Sequence, residues 1–194
     1  MKHYDIIIIG SGIAGISLGS IISKERKVAI IEKEKQLSYH STGRSFAFFI
    51  ESYGNNAIIE LTKISKKFFY DNINLFLKKK GVMFIGNNKQ KTIVEDFYNQ
   101  HKHKVKLELF NKNETIKLAN CLNEDYVNNS VIDINASEID VNNLYEYYRK
   151  QYNKNDGFIF TDFNINLVEY KNNKWILNNE ISSDIIVNAS GAWA

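Results

Sequence analysis

The sequence predicts an α/β fold built on a parallel β-sheet. Three features of its N-terminal part carry that prediction: an aliphatic strand at residues 4–9, a glycine-rich turn that runs into a helix, and a second aliphatic strand at 28–31 that ends on a carboxylate. Residues 4–9 end in four successive isoleucines with no polar alternation, as expected of a parallel strand covered on both faces. The turn is Gly10-Ser11-Gly12-Ile13-Ala14-Gly15, and the helix over 13–23 keeps Ile13, Ile16 and Ile21 near helical spacing. Residues 28–31 form the second buried strand and Glu32 closes it.

Each glycine has a physical task in such a strand–turn–helix–strand unit. Gly10 allows the tight turn, Gly12 lets backbone approach a pyrophosphate, and Gly15 lets helix and strand pack closely. The helix N-terminus then offers unpaired N–H groups and a positive dipole end to phosphates. Glu32 stands 17 residues after Gly15, where a carboxylate accepts both ribose hydroxyls of an adenosine and repels a 2′-phosphate. With both strands, the helix and the acid in place the unit predicts a dinucleotide site, although the motif alone does not say which dinucleotide.

The loop at 36–45 reads Gln-Leu-Ser-Tyr-His-Ser-Thr-Gly-Arg-Ser. Ser41, Thr42 and Ser45 carry hydroxyls that can bond phosphate oxygens, and Gly43 lets backbone N–H groups come close. Arg44, one of 3 arginines among 25 basic residues, would add charge and a planar fork. The alternative is a polar surface turn.

These residues resemble a known family. Gly10–Gly15, Glu32-Lys33 and Tyr39-His40-Ser41-Thr42-Gly43-Arg44-Ser45 are similar to the N-terminal half of FAD-dependent D-amino-acid dehydrogenases and oxidases, most of all the D-arginine-dehydrogenase type. Tyr53-Gly54, Leu61-Thr62, Phe68-Phe69 and Glu138-Ile139-Asp140 agree, and Ile186-Val187-Asn188-Ala189-Ser190-Gly191-Ala192-Trp193 resembles the family's second flavin-domain signature. The resemblance implies a Rossmann-like FAD-binding domain of the glutathione-reductase type over 1–78 and 136–194. Residues 79–135 would begin an inserted α+β substrate domain. It implies FAD contacts from Gly10, Gly12, Ala14, Gly15, Glu32, Lys33, the loop Ser41, Thr42, Gly43, Arg44, Ser45, and Gly191, with Ile165 in a strand-like stretch at 164–169 meeting the adenine through its backbone. Tyr53 matches a position near the substrate entrance, and His40 is expected to serve the loop's structure rather than to bind flavin covalently.

The same resemblance implies oxidation of an α-amino acid to an imino acid with hydride transfer to flavin, followed by hydrolysis to an oxo acid and ammonia. Two departures bear on the substrate. Relatives that accept cationic amino acids have a histidine where this chain has Phe48, and an acidic residue near Lys80-Gly81-Val82. A guanidinium would lack its carboxylate here, so a neutral or apolar amino acid is expected. The family's carboxylate-binding arginine and its third flavin-binding segment lie in a C-terminal half beyond Ala194. The sequence is therefore expected to be about half of a two-domain flavoenzyme, with a complementary C-terminal chain as a candidate partner. A non-catalytic flavin module and a 2-hydroxy-acid or glycerol-3-phosphate dehydrogenase of the same fold are the alternatives. No residue is assigned as a catalytic base.

Composition narrows the classes further. The chain has 194 residues, 44% of them hydrophobic and 24% charged, which suits a packed globular fold rather than a disordered one. One cysteine rules out an internal disulfide and a cysteine-based zinc or iron–sulfur centre. His101-Lys102-His103 lies in a lysine-rich stretch without acids, so no metal is expected there. Among basic residues 22 are lysine, and the net charge is only +3; nucleic acid is not expected as a partner. No run reaches the roughly 20 apolar residues of a bilayer span, so the expected location is cytoplasmic, with peripheral membrane contact left open. In the middle of the chain, residues 55–72 predict an amphipathic helix with Ile58, Leu61, Ile64, Phe68 and Phe69 on its core-facing stripe, and Cys121 is expected to be a small buried apolar residue.

Overall fold

A computed structural model describes residues 1–194. In chain order the first half contains β1 (Lys2–Ile9), α1 (Ile13–Ile22), β2 (Val28–Ile31), β3 (Ala47–Phe49), α2 (Asn56–Asp71), α3 (Ile73–Phe76), β4 (Leu77–Lys79) and β5 (Val82–Gly86). The remainder contains α4 (Lys91–His101), β6 (Leu107–Asn111), α5 (Lys112–Leu118), β7 (Asn129–Asp133), β8 (Ser137–Ile139), α6 (Val141–Lys154), β9 (Phe158–Phe160), β10 (Val168–Lys171), β11 (Lys174–Leu177) and β12 (Ile181–Asn188). The chain divides into two compact units, Met1–Ser45 with Val141–Ala194, and Phe46–Asp140. The boundaries implied by the family resemblance, 78/79 and 135/136, fall inside the second unit.

The first unit is a six-stranded sheet in the order β10-β11-β12-β1-β2-β9. The four strands from β12 to β9 are mutually parallel, and β10, β11 and β12 form an antiparallel meander at the other side. Isoleucine repeats produce the two-sided burial of β1 and β2. Ile8, Val28 and Ile30 pack on one face with Ile16 of α1 and with Tyr145 and Tyr152 of α6, while Ile7, Ala29 and Ile31 pack on the other with Leu177 and Ile181. Tyr152 is fully buried, and its hydroxyl stands 2.9 Å from the carbonyls of both Val28 and Phe158. Burial and these bonds belong together, because an unpaired hydroxyl in that position would be strongly destabilising. Two glycines clear space for its ring: a Cβ on Gly157 would lie 2.4 Å from it, and one on Gly19 3.2 Å.

The meander's turns make use of asparagine. Asn172 and Asn173 (φ 53° and 58°) join β10 to β11, and Asn178 and Asn179 (φ 50° and 58°) join β11 to β12. Two successive left-handed residues match the twist of a tight hairpin, and asparagine tolerates that conformation better than most side chains.

The second unit holds two three-stranded antiparallel sheets, β3-β8-β4 and β5-β7-β6. Val94 of α4 packs on Leu107 and Val131 to make its small core. Two expectations are corrected here. The α2 stripe is only partly inward: Phe69 packs against Phe49, but Ile58, Leu61 and Ile64 are 43%, 60% and 77% exposed, and Ile59 is the residue of α2 that is buried. The inward side of α2 runs through Ile59 and Phe69 instead, beside the stripe that the periodicity marked. Cys121 is exposed, because α5 ends at Leu118 and leaves it on a surface turn.

Candidate cofactor site

The site lies at the C-terminal ends of the parallel strands in the first unit. Gly10 follows β1 with φ +105°, and a Cβ there would stand 2.4 Å from the Ala189 carbonyl oxygen after β12. Both the backbone conformation and the close approach therefore demand glycine. A Cβ on Gly15 would come within 1.9 Å of the Gly10 oxygen, so α1 starts tightly against the turn. Its N-cap, Gly12, has no side chain to offer; Thr42 supplies the missing oxygen from the loop, with Oγ1 accepting from Ile13 N–H at 3.0 Å. The N–H groups of Gly12, Ala14 and Gly15 have no acceptor within the chain, and the Thr42 hydroxyl keeps its own proton to donate.

Glu32 is more engaged than its place in the motif suggests. Its Oε2 accepts from Ser11 N–H at 3.1 Å and from Ser11 Oγ at 2.6 Å, and its Oε1 accepts from Glu34 N–H at 3.0 Å. Burial pushes this carboxyl up, but the Ser11 hydroxyl, the Glu34 and Ser11 N–H groups and the nearby His40 outweigh it and hold the group below its ordinary value. A carboxylate has about four acceptor positions, so capacity for a ribose hydroxyl remains. Ser11 is held from the other side by Tyr145 of α6, whose hydroxyl donates to its carbonyl at 2.8 Å. Burial pushes that phenol up to about 12, so it stays a donor at neutral pH.

A cavity of about 290 Å³ opens here, lined by the glycine turn, the end of β2, the loop at 38–42, residues 163–165 and residues 189–193. Gly10, Gly12, Glu32, Lys33, Ser41, Thr42, Ile165 and Gly191 all line it. Ala14 and Gly15 stand behind that lining at the head of α1, while Gly43, Arg44 and Ser45 stay outside it. Gly43 donates its N–H to Ser38 oxygen at 2.8 Å, and a Cβ on it would meet the same oxygen at 2.3 Å, so this glycine closes the loop. Arg44 stacks on the Tyr39 ring at 4.8 Å. Tyr53, in the second unit, is 62% exposed.

Ile165 lies in an irregular segment rather than a strand, because β10 begins only at Val168. Asn178 fixes that segment: its Nδ2 donates to Asn164 oxygen at 2.7 Å, and its Oδ1 accepts from the N–H groups of Asn166 and Leu167 at 2.9 and 3.1 Å. The Ile165 N–H and C=O are left without partners in the chain, an edge of one donor and one acceptor that matches a base. Asn178 was missed at the sequence level, and only its place in an Asn-Asn turn signals it. The second unit has a comparable surprise. The fold brings Glu138 opposite both Phe48 and Lys78 in the β3-β8-β4 sheet, with Lys80 Nζ 3.8 Å from its carboxylate, so the acid that the local sequence lacks is present but already paired.

The donor set fits FAD. Glycines clear the approach, the first helix N–H groups are unpaired as a pyrophosphate requires, a carboxylate ends β2, and a free backbone edge stands at Ile165. The profile of the DAO family, described as FAD dependent oxidoreductase, matches residues 5–194. Among solved structures, dithionite-reduced L-α-glycerophosphate oxidase from Mycoplasma pneumoniae with FAD bound is 16% identical with a TM-score of 0.84, over 98% of this chain and 54% of that one. Glycine oxidase from Geobacillus kaustophilus is 15% identical with a TM-score of 0.86, over 100% of this chain and 57% of that one. L-Amino acid deaminase from Proteus vulgaris is 15% identical with a TM-score of 0.78, over 100% and 48%. The chain spans about half the length of these proteins, and at such identities the likeness is one of fold. On the family match the chain belongs to the DAO family of FAD-dependent oxidoreductases, with FAD as its cofactor.

Proposed function

We propose that the protein oxidises the amine of an amino acid of D configuration, within the group typified by D-arginine dehydrogenase but with a neutral or apolar side chain as its substrate. The observation that carries this reading is the gathering of the Tyr39–Thr42 stretch, the glycine turn, Glu32-Lys33 and Gly191 around one cavity, since the Tyr39–Ser45 motif is what resembles the amino-acid group. When bound, the flavin supplies the hydride acceptor for the substrate Cα–H bond.

In this reading the first unit is the FAD-binding domain and the second begins the substrate domain. The N–H groups of Gly12, Ala14 and Gly15, with the hydroxyls of Ser41 and Thr42, hold the pyrophosphate. Glu32 accepts from the ribose, the Ile165 backbone takes the adenine edge, and Gly10 and Gly191 keep the backbone clear of the cofactor. Gly43, Arg44 and Ser45 complete the loop, and Tyr53 stands at the substrate entrance. Pairing of Glu138 with Lys80 supports a neutral substrate, because a cationic side chain would have to displace that lysine to gain the carboxylate.

A second reading, oxidation of a 2-hydroxy acid or glycerol 3-phosphate, is supported by the L-α-glycerophosphate oxidase among the structural neighbours. Two measurements decide. The chain purified with FAD should show a flavin spectrum; a colourless protein that cannot be reconstituted removes the cofactor reading of this cavity. The enzyme isolated from its native cells should reduce a dye acceptor with neutral D-amino acids. Turnover only with L-amino acids, D-arginine or glycerol 3-phosphate would overturn the substrate assignment.

A further inference from the structure

One group of side chains on the cavity wall is absent from the dinucleotide motif. His40 and Trp193, both lining residues, lie with ring centroids 4.3 Å apart, and Lys33 Nζ stands 4.3 Å from the Trp193 ring centroid. The Glu34 carboxylate joins them from behind, with Oε1 2.8 Å from His40 Nε2 and 3.7 Å from Lys33 Nζ. Glu34 itself is not part of the lining. Its backbone is fixed at both ends: its N–H donates to Glu32 Oε1 at 3.0 Å, and its carbonyl accepts from Asp162 N–H at 3.0 Å.

We propose that Glu34 is a positioning residue for the cofactor cavity, holding Lys33 and His40 against Trp193 so that the indole forms a clamped wall of the dinucleotide site. The physical case rests on what each contact does alone. Trp193 belongs to a short helical turn at Gly191–Trp193, and its ring meets the His40 ring and the Lys33 ammonium. A lysine over an indole is a modest attraction when solvated, and it needs the ammonium held in place to restrict the ring. One carboxylate oxygen shared by Lys33 and His40 supplies that restraint to both flanking groups at once, and a neutral amide in its place would hold the lysine ammonium and the imidazole less firmly. The clamp orders the wall before the ligand arrives, and pre-ordering strengthens binding by removing a cost that binding would otherwise carry.

The inference rests on the cofactor reading above, and the test separates the two. The chain has 2 tryptophans, so Trp175→Phe leaves Trp193 as the sole indole emitter. In that background we compare Glu34→Gln, Glu34→Ala and Asn178→Ala, reading Trp193 emission without ligand and during titration with ADP, a probe without flavin absorbance. Glu34→Ala should shift Trp193 emission to longer wavelength and weaken ADP about fivefold or more, with Glu34→Gln in between. Asn178→Ala, whose side-chain bonds go only to the 164–167 segment, should weaken ADP while leaving the ligand-free emission in place. Unchanged emission in both Glu34 variants overturns the clamp. Shifted emission with unchanged ADP affinity overturns its role in binding. If the parent chain takes up neither ADP nor FAD, the cofactor reading fails, and the ligand-free emission alone then decides the clamp.

Discussion

Replacing Glu32 by glutamine tests whether the carboxylate that ends β2 braces the glycine turn as well as facing the cofactor. Three donors converge on it, at 3.1, 2.6 and 3.0 Å. Glutamine has one acceptor oxygen. In its better orientation it keeps the two Ser11 bonds in weaker, uncharged form and turns its own N–H₂ toward the Glu34 N–H. Hydrogen bonds to charged groups contribute about 1.5–3 kcal/mol against about 0.5–1.5 kcal/mol for neutral ones, so the gross loss is on the order of 3 kcal/mol. Partial exposure to water reduces that to about 1.5 kcal/mol. For a chain of this size each kcal/mol moves Tm by roughly 2–4 °C, giving an expected loss of about 3–6 °C at pH 7 in a ligand-free thermal melt. The pH dependence has a definite sign. The folded carboxyl titrates below its ordinary 4.5, so its contribution is present above that pH and is lost as pH falls through the lower folded value. The gap between parent and variant should therefore be full at pH 7 and close under more acidic conditions. Equal melting at pH 7, or a gap that widens on acidification, would refute the bracing argument.

Three further outcomes follow from the same geometry. Gly15→Ala sets a Cβ 1.9 Å from the Gly10 oxygen with no side-chain torsion to relieve it, so the variant should lose FAD binding and melt at least ~2 kcal/mol less stable, read by denaturant titration. Asn178→Ala removes three hydrogen bonds from the 164–167 segment; the amides of Asn166 and Leu167 should exchange with solvent faster, and FAD affinity should fall about tenfold, while strands β1 and β2 keep their protection. Tyr152→Phe leaves the Val28 and Phe158 carbonyls without their hydroxyl and should cost about 1–2 kcal/mol, whereas Gly157→Ala, with its Cβ 2.4 Å from the same ring, should cost more. If the glycine variant melts above the phenylalanine one, the packing argument around Tyr152 is wrong.

The parts of this molecule that were legible in the sequence are those whose signal is local. The Ile6–Ile9 run, the spacing of Gly10, Gly12 and Gly15, and Glu32 at the strand end specify β1, α1 and β2 through sterics that act within a few residues. What escaped depends on residues far apart in the chain. Thr42 acts as a helix cap because the loop folds back on Ile13, and Tyr145 holds Ser11 from a helix 134 residues away. Glu138 meets Lys80 only through strand pairing. Asn178 could be seen as a turn residue but not as a clamp, since its three partners lie on a segment with no regular structure. The α2 stripe failed for a related reason: periodicity shows which residues share a face, and only the neighbouring elements decide which face is covered, here the one with Ile59 rather than that of Ile58, Leu61 and Ile64.

The order of strands in the first unit has a consequence for how the chain is made. β1 is a central strand, paired on one side with β2 and on the other with β12, whose residues stand 179 positions later in the sequence. As the polypeptide leaves the ribosome, β1, α1 and β2 emerge early as a greasy half-sheet with two unsatisfied edges. β9 and β12, which cap those edges, are synthesised only after the whole of Phe46–Asp140. The second unit, whose strands pair only among themselves, is free to fold during that interval. The isoleucine-rich opening must wait, and during synthesis it is the part of the chain most exposed to chaperones and to aggregation.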